Sequence, residues 1–337
     1  MLRVADPERR YTAVRLASDL HLSEAARSFA RRDGEWVLDL RPSDVQRVEY
    51  QLELVGPGGS VEYALDPDNP HRAPGAFGEK SVLLLPGYRE PAWLGAPQIE
   101  GRYRELEVPG RGLGASVAIR VWEPAGAEER PLRLLIAHDG PEYDALASLT
   151  RFTAAKIAAE ELPPHRVALL APGDRDQWYS ASKRYGRVVA HDVIPALRDA
   201  FPTVGALAGM GASLGALAML HVQRSFPRAF GGLFLQSGSF FLPRTDPQER
   251  RFPRFARIVR FVRATQRDGA LALPIPVTLT VGGAEENAAN NRTMAHALAE
   301  QGYEVELEEV PDMHNYTGWR DAFDPHLTRL LQKAWTR

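Results

Sequence analysis

The chain has 337 residues, a formal net charge of −2 and ordinary shares of hydrophobic (44%) and charged (25%) residues. This balance is typical of a soluble globular protein and argues against a surface built for nucleic acid or for a membrane. The sequence contains no cysteine, which excludes disulfides, cysteine-ligated metals and a cysteine nucleophile. Because the N-terminus lacks the apolar core of a signal peptide and no run approaches the ~18 apolar residues of a membrane span, we expect a cytoplasmic protein.

The first part of the chain, residues 1–97, is predicted to form a β-sandwich domain. Apolar and polar residues alternate along 35–40 and 48–55, a period of two that is typical of strands with one buried face. We find no catalytic constellation here and expect a module that packs and shapes the substrate site. The other predicted elements are a strand at 61–65, a strand at 81–85, a helical segment at about 23–32 and a Pro- and Gly-rich linker at 86–98.

Residues 98–337 are predicted to form an α/β domain, because strand and helix patterns alternate along them. Repeated β-α-β order indicates a doubly wound, mostly parallel sheet, in which ligands bind beyond the carboxyl ends of the strands. The predicted strands are 103–108, 117–122, 132–137, 166–171, 204–210, 232–236, 276–281 and 304–310. The predicted helices are 150–161, 188–201, 216–220, 252–266, 293–301 and 319–335.

Residues 207–220 carry the strongest catalytic signal in the sequence. An apolar strand pattern turns through Gly211-Ala212-Ser213-Leu214-Gly215 into apolar helix formers. A G-x-S-x-G turn between strand and helix is a nucleophile elbow, which presents the serine hydroxyl above the sheet at the positive end of a helix. A dinucleotide-binding fingerprint would also explain the glycines, but it fails because Leu214 occupies the position of the third glycine.

A serine nucleophile needs a base and an acid, which in this fold class follow it in the order Ser, Asp/Glu, His. His314 comes directly after the last predicted strand and is the candidate base. His138 also stands at a strand end and is its one serious rival. The acid is expected after the strand 276–281, where Glu285 is the first choice and Glu286 the alternative.

An oxyanion hole needs two backbone N–H donors, one of which is expected at Leu214, the residue after the nucleophile. The other is expected in the loop that follows the strand 132–137. Pro141 has no N–H, so Gly140 or Glu142 would have to donate with a shifted loop. Asp139 is expected to tie this loop by hydrogen bonds.

Aromatic and charged side chains beyond other strand ends are candidates for the substrate site. The predicted substrate-binding residues are Asp139, Tyr143, Arg175, Trp178, Phe240 and Phe241. The predicted helix 252–266 has a cationic face, in which Arg254, Arg257, Arg260 and Arg263 recur at every third residue. We interpret it as a solvated outer face, with a basic lid that attracts anionic substrates as the alternative.

Five segments together resemble the enterochelin-esterase-like branch of the putative esterase family. They are GASLG at the elbow, VGGAEEN, PDMHNYTGWRDAF, HDGPEY and YALDPDNP. The resemblance implies an α/β-hydrolase fold, an N-terminal immunoglobulin-like β domain and a triad of Ser213, His314 and Glu285. Pro141 departs from the family pattern, in which the residue after Asp-Gly carries an N–H. The family also contains feruloyl and acetyl xylan esterases and acyltransferases.

The sequence therefore predicts a serine esterase that hydrolyses a carboxylic ester through an acyl-enzyme, without metal or organic cofactor. The expected partner is a small-molecule ester. A siderophore substrate of the enterochelin type is implied by the resemblance alone. Two alternatives remain: an acyltransferase or carbohydrate esterase on the same triad, and a non-catalytic binding protein on a hydrolase scaffold.

Overall fold

The computed structural model of the protein describes residues 1–42, 44–269 and 273–336. The chain divides into two compact units. The first, here called the N-terminal unit, comprises Met1–Arg89 and two short segments from much later in the sequence, Gly282–Glu285 and Pro311–Gly318. The remaining described residues form the second, here called the α/β unit. The N-terminal unit is therefore discontinuous in sequence.

Two antiparallel sheets build the N-terminal unit. Its elements are β1 (Leu2–Ala5), β2 (Ala13–Ser18), α1 (Glu24–Arg27), β3 (Ala30–Arg32), β4 (Glu35–Leu38), β5 (Arg47–Val55), β6 (Val61–Ala64), β7 (Arg72–Ala73) and β8 (Lys80–Leu84). One sheet has the strand order β1-β4-β3, and the other has the order β2-β5-β8-β7 with β6 paired to β5. All of these pairs are antiparallel.

One hydrophobic core holds the N-terminal unit together, and both sheets contribute to it. Tyr50 and Leu52 of β5 and Trp36 of β4 are buried there, as their alternating sequence pattern predicts. Burial of such a side chain contributes roughly 1.5–3 kcal/mol. Met313, from the late segment Pro311–Gly318, belongs to the same core. That segment is therefore packed as part of the N-terminal unit.

The prediction of a helical segment at 23–32 is largely wrong. Ser23 caps a single helical turn, because its hydroxyl accepts a hydrogen bond from the Ala26 amide at 3.2 Å. From Ala30 the chain pairs with β4, with Ala30 opposite Val37. Strand pairing thus overrides local helix propensity. The sequence analysis also missed β1 and β2.

The α/β unit confirms the predicted α/β class and contains a mixed sheet. Its strands are β9 (Gly101–Gly110), β10 (Ala115–Pro124), β11 (Arg133–His138), β12 (His165–Leu170), β13 (Ala208–Ala212), β14 (Gly232–Gln236), β15 (Pro276–Gly282) and β16 (Glu304–Val310). The strand order is β16-β15-β14-β13-β11-β12-β10-β9. Parallel pairs join β12, β11, β13, β14 and β15, whereas β10 pairs antiparallel with β12 and β9. Every residue of β12, β13 and β14 is buried, as parallel strands require.

The helices depart from prediction where proline interrupts them. They are α2 (Gly140–Ala147), α3 (Leu149–Ala158), α4 (Arg175–Tyr179), α5 (Lys183–Val188), α6 (Ile194–Ala200), α7 (Leu214–Ser225), α8 (Phe255–Arg267), α9 (Ala288–Glu300), α10 (Tyr316–Asp321) and α11 (Thr328–Thr336). The helix expected at 319–335 is divided into α10 and α11, because Asp324, the residue before Pro325, has extended backbone angles (φ −109°, ψ 124°). The helix α2 was expected to be a loop. Within the described ranges, no helix is both long and apolar enough to cross a membrane.

Candidate active site

Ser213 occupies a strained turn between β13 and α7, which confirms the predicted strand–turn–helix. Its backbone angles are φ 55° and ψ −123°. Such a conformation is rare for a residue with a side chain and costs on the order of 1–3 kcal/mol. Two hydrogen bonds hold the turn: the Ser213 amide donates to the carbonyl of Gln236 at 2.9 Å, and the Ser239 amide donates to the carbonyl of Ser213 at 3.1 Å.

The glycines on either side of Ser213 allow the strand and the helix to approach closely. A Cβ atom on Gly211 would lie 2.6 Å from the carbonyl carbon of Gly215. A Cβ atom on Gly215 would lie 3.2 Å from Oδ2 of Asp139. A larger residue at Gly211 would therefore force the backbones of the strand and the helix apart, and one at Gly215 would crowd the Asp139 side chain, which gives the G-x-S-x-G spacing a steric cause.

Two helix N-termini lie next to each other at the carboxyl ends of the paired strands β11 and β13. They begin α2 and α7, and the close approach of Gly215 to Asp139 shows that the two first turns are in contact. Amides in a first helical turn have no acceptor within their own helix, and they attract negative charge. The Leu214 amide is the first of α7. This arrangement is suited to an oxyanion.

The amides of the α2 turn differ in what they already bind. The Asp139 amide donates to the hydroxyl of Tyr179 at 3.3 Å. The Glu142 amide donates to its own carboxylate, and burial raises the pKa of that carboxyl. Pro141 has no amide hydrogen. Among the described residues the Gly140 amide has no such competing acceptor. Gly140 is therefore the better candidate than Glu142 for the second oxyanion donor.

Substituting Gly140 with alanine is expected to lower kcat by about 10²-fold, the usual effect of losing one oxyanion donor. The added Cβ atom would lie 2.3 Å from the Cα atom of Leu169, so the start of α2 must move. Gly269→Ala is the matched control, because its Cβ atom would meet nothing within 4 Å. Steady-state kinetics and melting temperatures of both variants provide the measurement. A lower melting temperature with an unchanged kcat would contradict a role in the reaction.

His138, the rival candidate base, is a structural residue in this structure. It is completely buried, and burial lowers the pKa of its imidazole to about 4. Its Nδ1 atom lies 3.0 Å from the carbonyl oxygen of Gly215, and its ring centroid lies 4.5 Å from that of Tyr179. These contacts link β11 to α7 and leave the imidazole neutral.

Asp139 ties its loop as expected, through an ion pair with Arg175. Nε of Arg175 donates to Oδ1 at 2.9 Å and Nη2 donates to Oδ2 at 2.8 Å. Asp139 is buried in a left-handed conformation with φ 49°, whereas the Arg175 side chain is 35% exposed. Asp139 and Arg175 were both predicted to bind substrate, and of this pair Arg175 is thus the one with an accessible surface.

The predicted aromatic substrate contacts are packed inside the α/β unit. Tyr143 and Phe240 are completely buried, and the Tyr143 hydroxyl donates to Oε1 of Gln236 at 2.9 Å. Trp178 is 4% exposed and stacks on Tyr185 with a centroid distance of 5.5 Å. Phe241 is 6% exposed. In this structure Tyr143, Phe240 and Phe241 form core, whereas Trp178 also lines part of the wall of a cavity.

The loop after β14 contains a neighbour of the nucleophile that the sequence analysis did not single out. The Ser239 hydroxyl oxygen lies 3.1 Å from that of Ser213 and is buried. Asn291 holds this loop from α9: its Oδ1 accepts from the Gly238 amide at 3.0 Å, and its Nδ2 donates to the Gly238 carbonyl at 2.9 Å. Asn291 lies one helical turn after the VGGAEEN segment, and nothing in the sequence around it indicates this role.

The candidate acid and base pair with each other in the N-terminal unit. Oε2 of Glu285 lies 3.4 Å from Nδ1 of His314. The Glu285 side chain is 1% exposed and that of His314 is 32% exposed. Glu286, the alternative acid, is exposed. In serine hydrolases, a carboxylate at Nδ1 orients the imidazole of the base.

A buried arginine holds the segment that carries His314, and the sequence analysis missed it. Arg47, at the start of β5, forms an ion pair with Asp312 in which its Nη2 and the carboxylate Oδ2 are 2.9 Å apart. The same Nη2 atom donates to Oδ1 of Asn315 at 2.6 Å. Arg47 is 2% exposed. Asp312 and Asn315 flank His314, so one guanidinium binds both sides of the candidate base.

The cationic face of α8 is mostly solvated, in agreement with the simpler interpretation. Arg254, Arg260 and Arg263 are exposed. Arg257 instead turns inward, where its Nη2 donates to the carbonyl of Gln177 at 2.6 Å. Arg257 and Arg260 line a cavity of about 990 Å³, and Ser213 is not among the described residues that line it. Across the described ranges, no group of three or more His, Asp or Glu side chains is arranged to hold a metal ion.

Comparison with known families gives one match to most of the chain. The family described as Putative esterase matches residues 110–330. An uncharacterized protein of Bacillus subtilis (strain 168), YjcH, is 21% identical over 244 residues, which cover 68% of this chain and 98% of that protein.

Solved structures share the fold at low sequence identity. The enterobactin esterase FES of Shigella flexneri superposes with a TM-score of 0.76 at 19% identity, covering 99% of this chain and 92% of that one. A ferulic acid esterase superposes with a TM-score of 0.56 at 13% identity, covering 69% of this chain and 99% of that one. The first likeness includes the N-terminal β region, whereas the second covers a smaller share of the chain.

Proposed function

Because the chain belongs to the putative esterase family, we propose that it is a serine esterase with Ser213 as nucleophile, His314 as base and Glu285 as acid. The strained conformation of Ser213 at the start of α7 is the observation that carries this proposal. The pairing of Glu285 with Nδ1 of His314 supports the other two roles.

In the proposed reaction, Oγ of Ser213 attacks the ester carbonyl carbon while its proton passes to Nε2 of His314. The negative charge on the carbonyl oxygen is stabilised by the amides of Leu214 and Gly140. The tetrahedral intermediate then collapses: the carbon–oxygen bond to the alcohol breaks, and His314 returns the proton to the leaving oxygen. Water, deprotonated by His314, attacks the acyl-enzyme in the same way and releases the acid and free Ser213.

We propose a catecholate siderophore ester as the substrate class and a small-molecule ester as the partner. The likeness to an enterobactin esterase over 99% of this chain supports this choice, since the ferulic acid esterase covers only 69%. The Arg175 side chain, which pairs with Asp139 but is 35% exposed, is the proposed contact for an anionic group of the substrate. We further propose that the two sheets of the N-terminal unit form an immunoglobulin-like sandwich, for which their common core is the support.

Labelling with a fluorophosphonate probe, followed by peptide mass mapping, tests the nucleophile. We expect the probe on Ser213 in the wild type and no label in Ser213→Ala. Ser239→Ala is the matched control, because its hydroxyl oxygen lies 3.1 Å from that of Ser213 but has no proposed covalent role. Unlabelled, folded wild-type protein would contradict an activated serine and favour the non-catalytic alternative.

Product analysis separates hydrolysis from acyl transfer. With a catecholate ester and added alcohols, an esterase releases the free acid, whereas an acyltransferase forms new esters. If new esters were the main product, the protein would be an acyltransferase that uses the same three residues.

A further inference from the structure

We infer that Arg47 is a positioning residue for His314, which it holds in place through Asp312 and Asn315. This inference rests on the proposed role of His314 as the base. Arg47 lies 265 positions before Asp312 in the sequence. Its guanidinium connects β5 to the short segment Pro311–Gly318, which carries His314.

The Arg47 guanidinium uses all of its nitrogens within one buried cluster. Nε and Nη2 donate to Oδ2 of Asp312 at 3.1 Å and 2.9 Å. Nη2 also donates to Oδ1 of Asn315 at 2.6 Å, and Nη1 donates to Oε1 of Glu49 at 2.7 Å. Arginine presents several donors in fixed directions on a planar, forked guanidinium. The Arg47 guanidinium therefore fixes the positions of Asp312 and Asn315, the two residues that flank His314.

The bound side chains in turn fix the backbone around His314. Oδ1 of Asp312 accepts from the Met313 amide at 2.7 Å and from Nδ2 of Asn315 at 2.9 Å. Oδ1 of Asn315 also accepts from the Gly318 amide at 2.7 Å. The Met313 side chain is 5% exposed within the core of the N-terminal unit. The segment before and after His314 is thus held, whereas the His314 side chain is 32% exposed.

The charge of the cluster is maintained although it is buried. Burial by itself disfavours the charged guanidinium, but the carboxylates of Asp312 and Glu49 outweigh it and hold the pKa of Arg47 above its ordinary value. The buried, charged Arg47 guanidinium is held by two carboxylates and therefore resists reorientation. Misplacing a reacting group by about 1 Å can lower the rate 10²-fold, so a rigid segment around His314 is expected to keep the reaction fast.

The test is a double-mutant cycle between Arg47→Lys and His314→Ala in the full chain, assayed well below the melting temperature of each variant. Lysine keeps the charge but lacks the fork. We expect Arg47→Lys alone to lower kcat by about 10–100-fold while KM changes by less than about two-fold. If Arg47 acts through His314, adding Arg47→Lys to His314→Ala should lower the residual rate by less than about two-fold.

Arg15→Lys is the matched control, because Arg15 pairs with Glu53 in the same unit and makes no contact with the His314 segment among its described contacts. It should leave kcat unchanged. Should Arg47→Lys fail to fold, Asn315→Ala replaces it, since it removes one of the two flanking contacts and leaves the Arg47–Asp312 ion pair intact. The same loss of kcat without loss of substrate affinity is expected.

Two results would overturn the inference. One is an unchanged kcat in the folded Arg47→Lys protein. The other is that Arg47→Lys lowers the rate of the His314→Ala protein by the same factor as it lowers that of the wild type. The proposed function fails separately, if His314→Ala itself keeps the wild-type rate. An inactive His314→Ala with a fully active Arg47→Lys would therefore reject the positioning role alone.

Discussion

Replacing Ser213 with glycine is expected to abolish ester hydrolysis and to stabilise the protein at the same time. Loss of the nucleophile should lower kcat by ~10⁵–10⁶-fold. A φ of 55° strains the backbone of Ser213, whereas glycine adopts this angle without strain. After the extra flexibility of glycine in the unfolded chain is subtracted, we expect a gain of about 1 kcal/mol in the free energy of unfolding. Steady-state kinetics and calorimetry measure the two effects.

Two further variants separate the causes of these effects. Ser213→Ala should be equally inactive but should keep a melting temperature near that of the wild type, since alanine retains the Cβ atom. Ser148→Gly relieves a φ of 56° at the end of α2, so it should gain stability and keep full activity. Appreciable hydrolysis by Ser213→Gly would show that the nucleophile lies elsewhere, and an unchanged stability would show that the turn is not strained.

Glu285→Gln is expected to lower kcat by about 10³–10⁴-fold, whereas Glu286→Gln should leave it unchanged. The Glu285 carboxylate lies 3.4 Å from Nδ1 of His314 in a site where its side chain is 1% exposed. A glutamine there can donate to Nδ1, which favours the imidazole tautomer that cannot accept the serine proton. Glu286 is exposed and shares the same loop, so the pair forms its own control.

Kinetics of the two glutamine variants decide between the carboxylates. If the losses were reversed, Glu286 would be the acid. If both variants kept the wild-type kcat, neither carboxylate would orient His314. The proposed triad would then need a different third member or none.

The sequence predicted those parts of the site that depend on local pattern. The turn at Ser213 follows from glycine spacing and from the adjacent strand and helix, which are all contiguous in the chain. His314 and Glu285 were proposed because strand ends can be predicted from the sequence, and catalytic side chains gather at that edge of a parallel sheet.

The parts that the sequence did not predict depend on contacts between distant residues. Nothing in the pattern around Arg47 distinguishes it from a solvated arginine, because its partner Asp312 is 265 positions away. The burial of Tyr143 and Phe240 could not be foreseen either, since an aromatic residue after a strand has the same sequence signal in a cleft and in a core. The helix at Gly140–Ala147 begins in a Gly-Pro pair that usually indicates a loop.

The discontinuous N-terminal unit also affects how the protein is made. Ribosomes add residues from the N-terminus at ~5–20 per second, so the segment Pro311–Gly318 is synthesised on the order of 10–50 s after Arg89. During that interval the first sheets lack Met313 in their core, and the Arg47 charge lacks Asp312. All strands of the two sheets lie within residues 2–84, so they can pair early, but their core stays incomplete for longer than that of an ordinary leading domain. Its native state is reached only near the end of translation, so we expect this chain to be more prone to aggregation while it is being synthesised than after release.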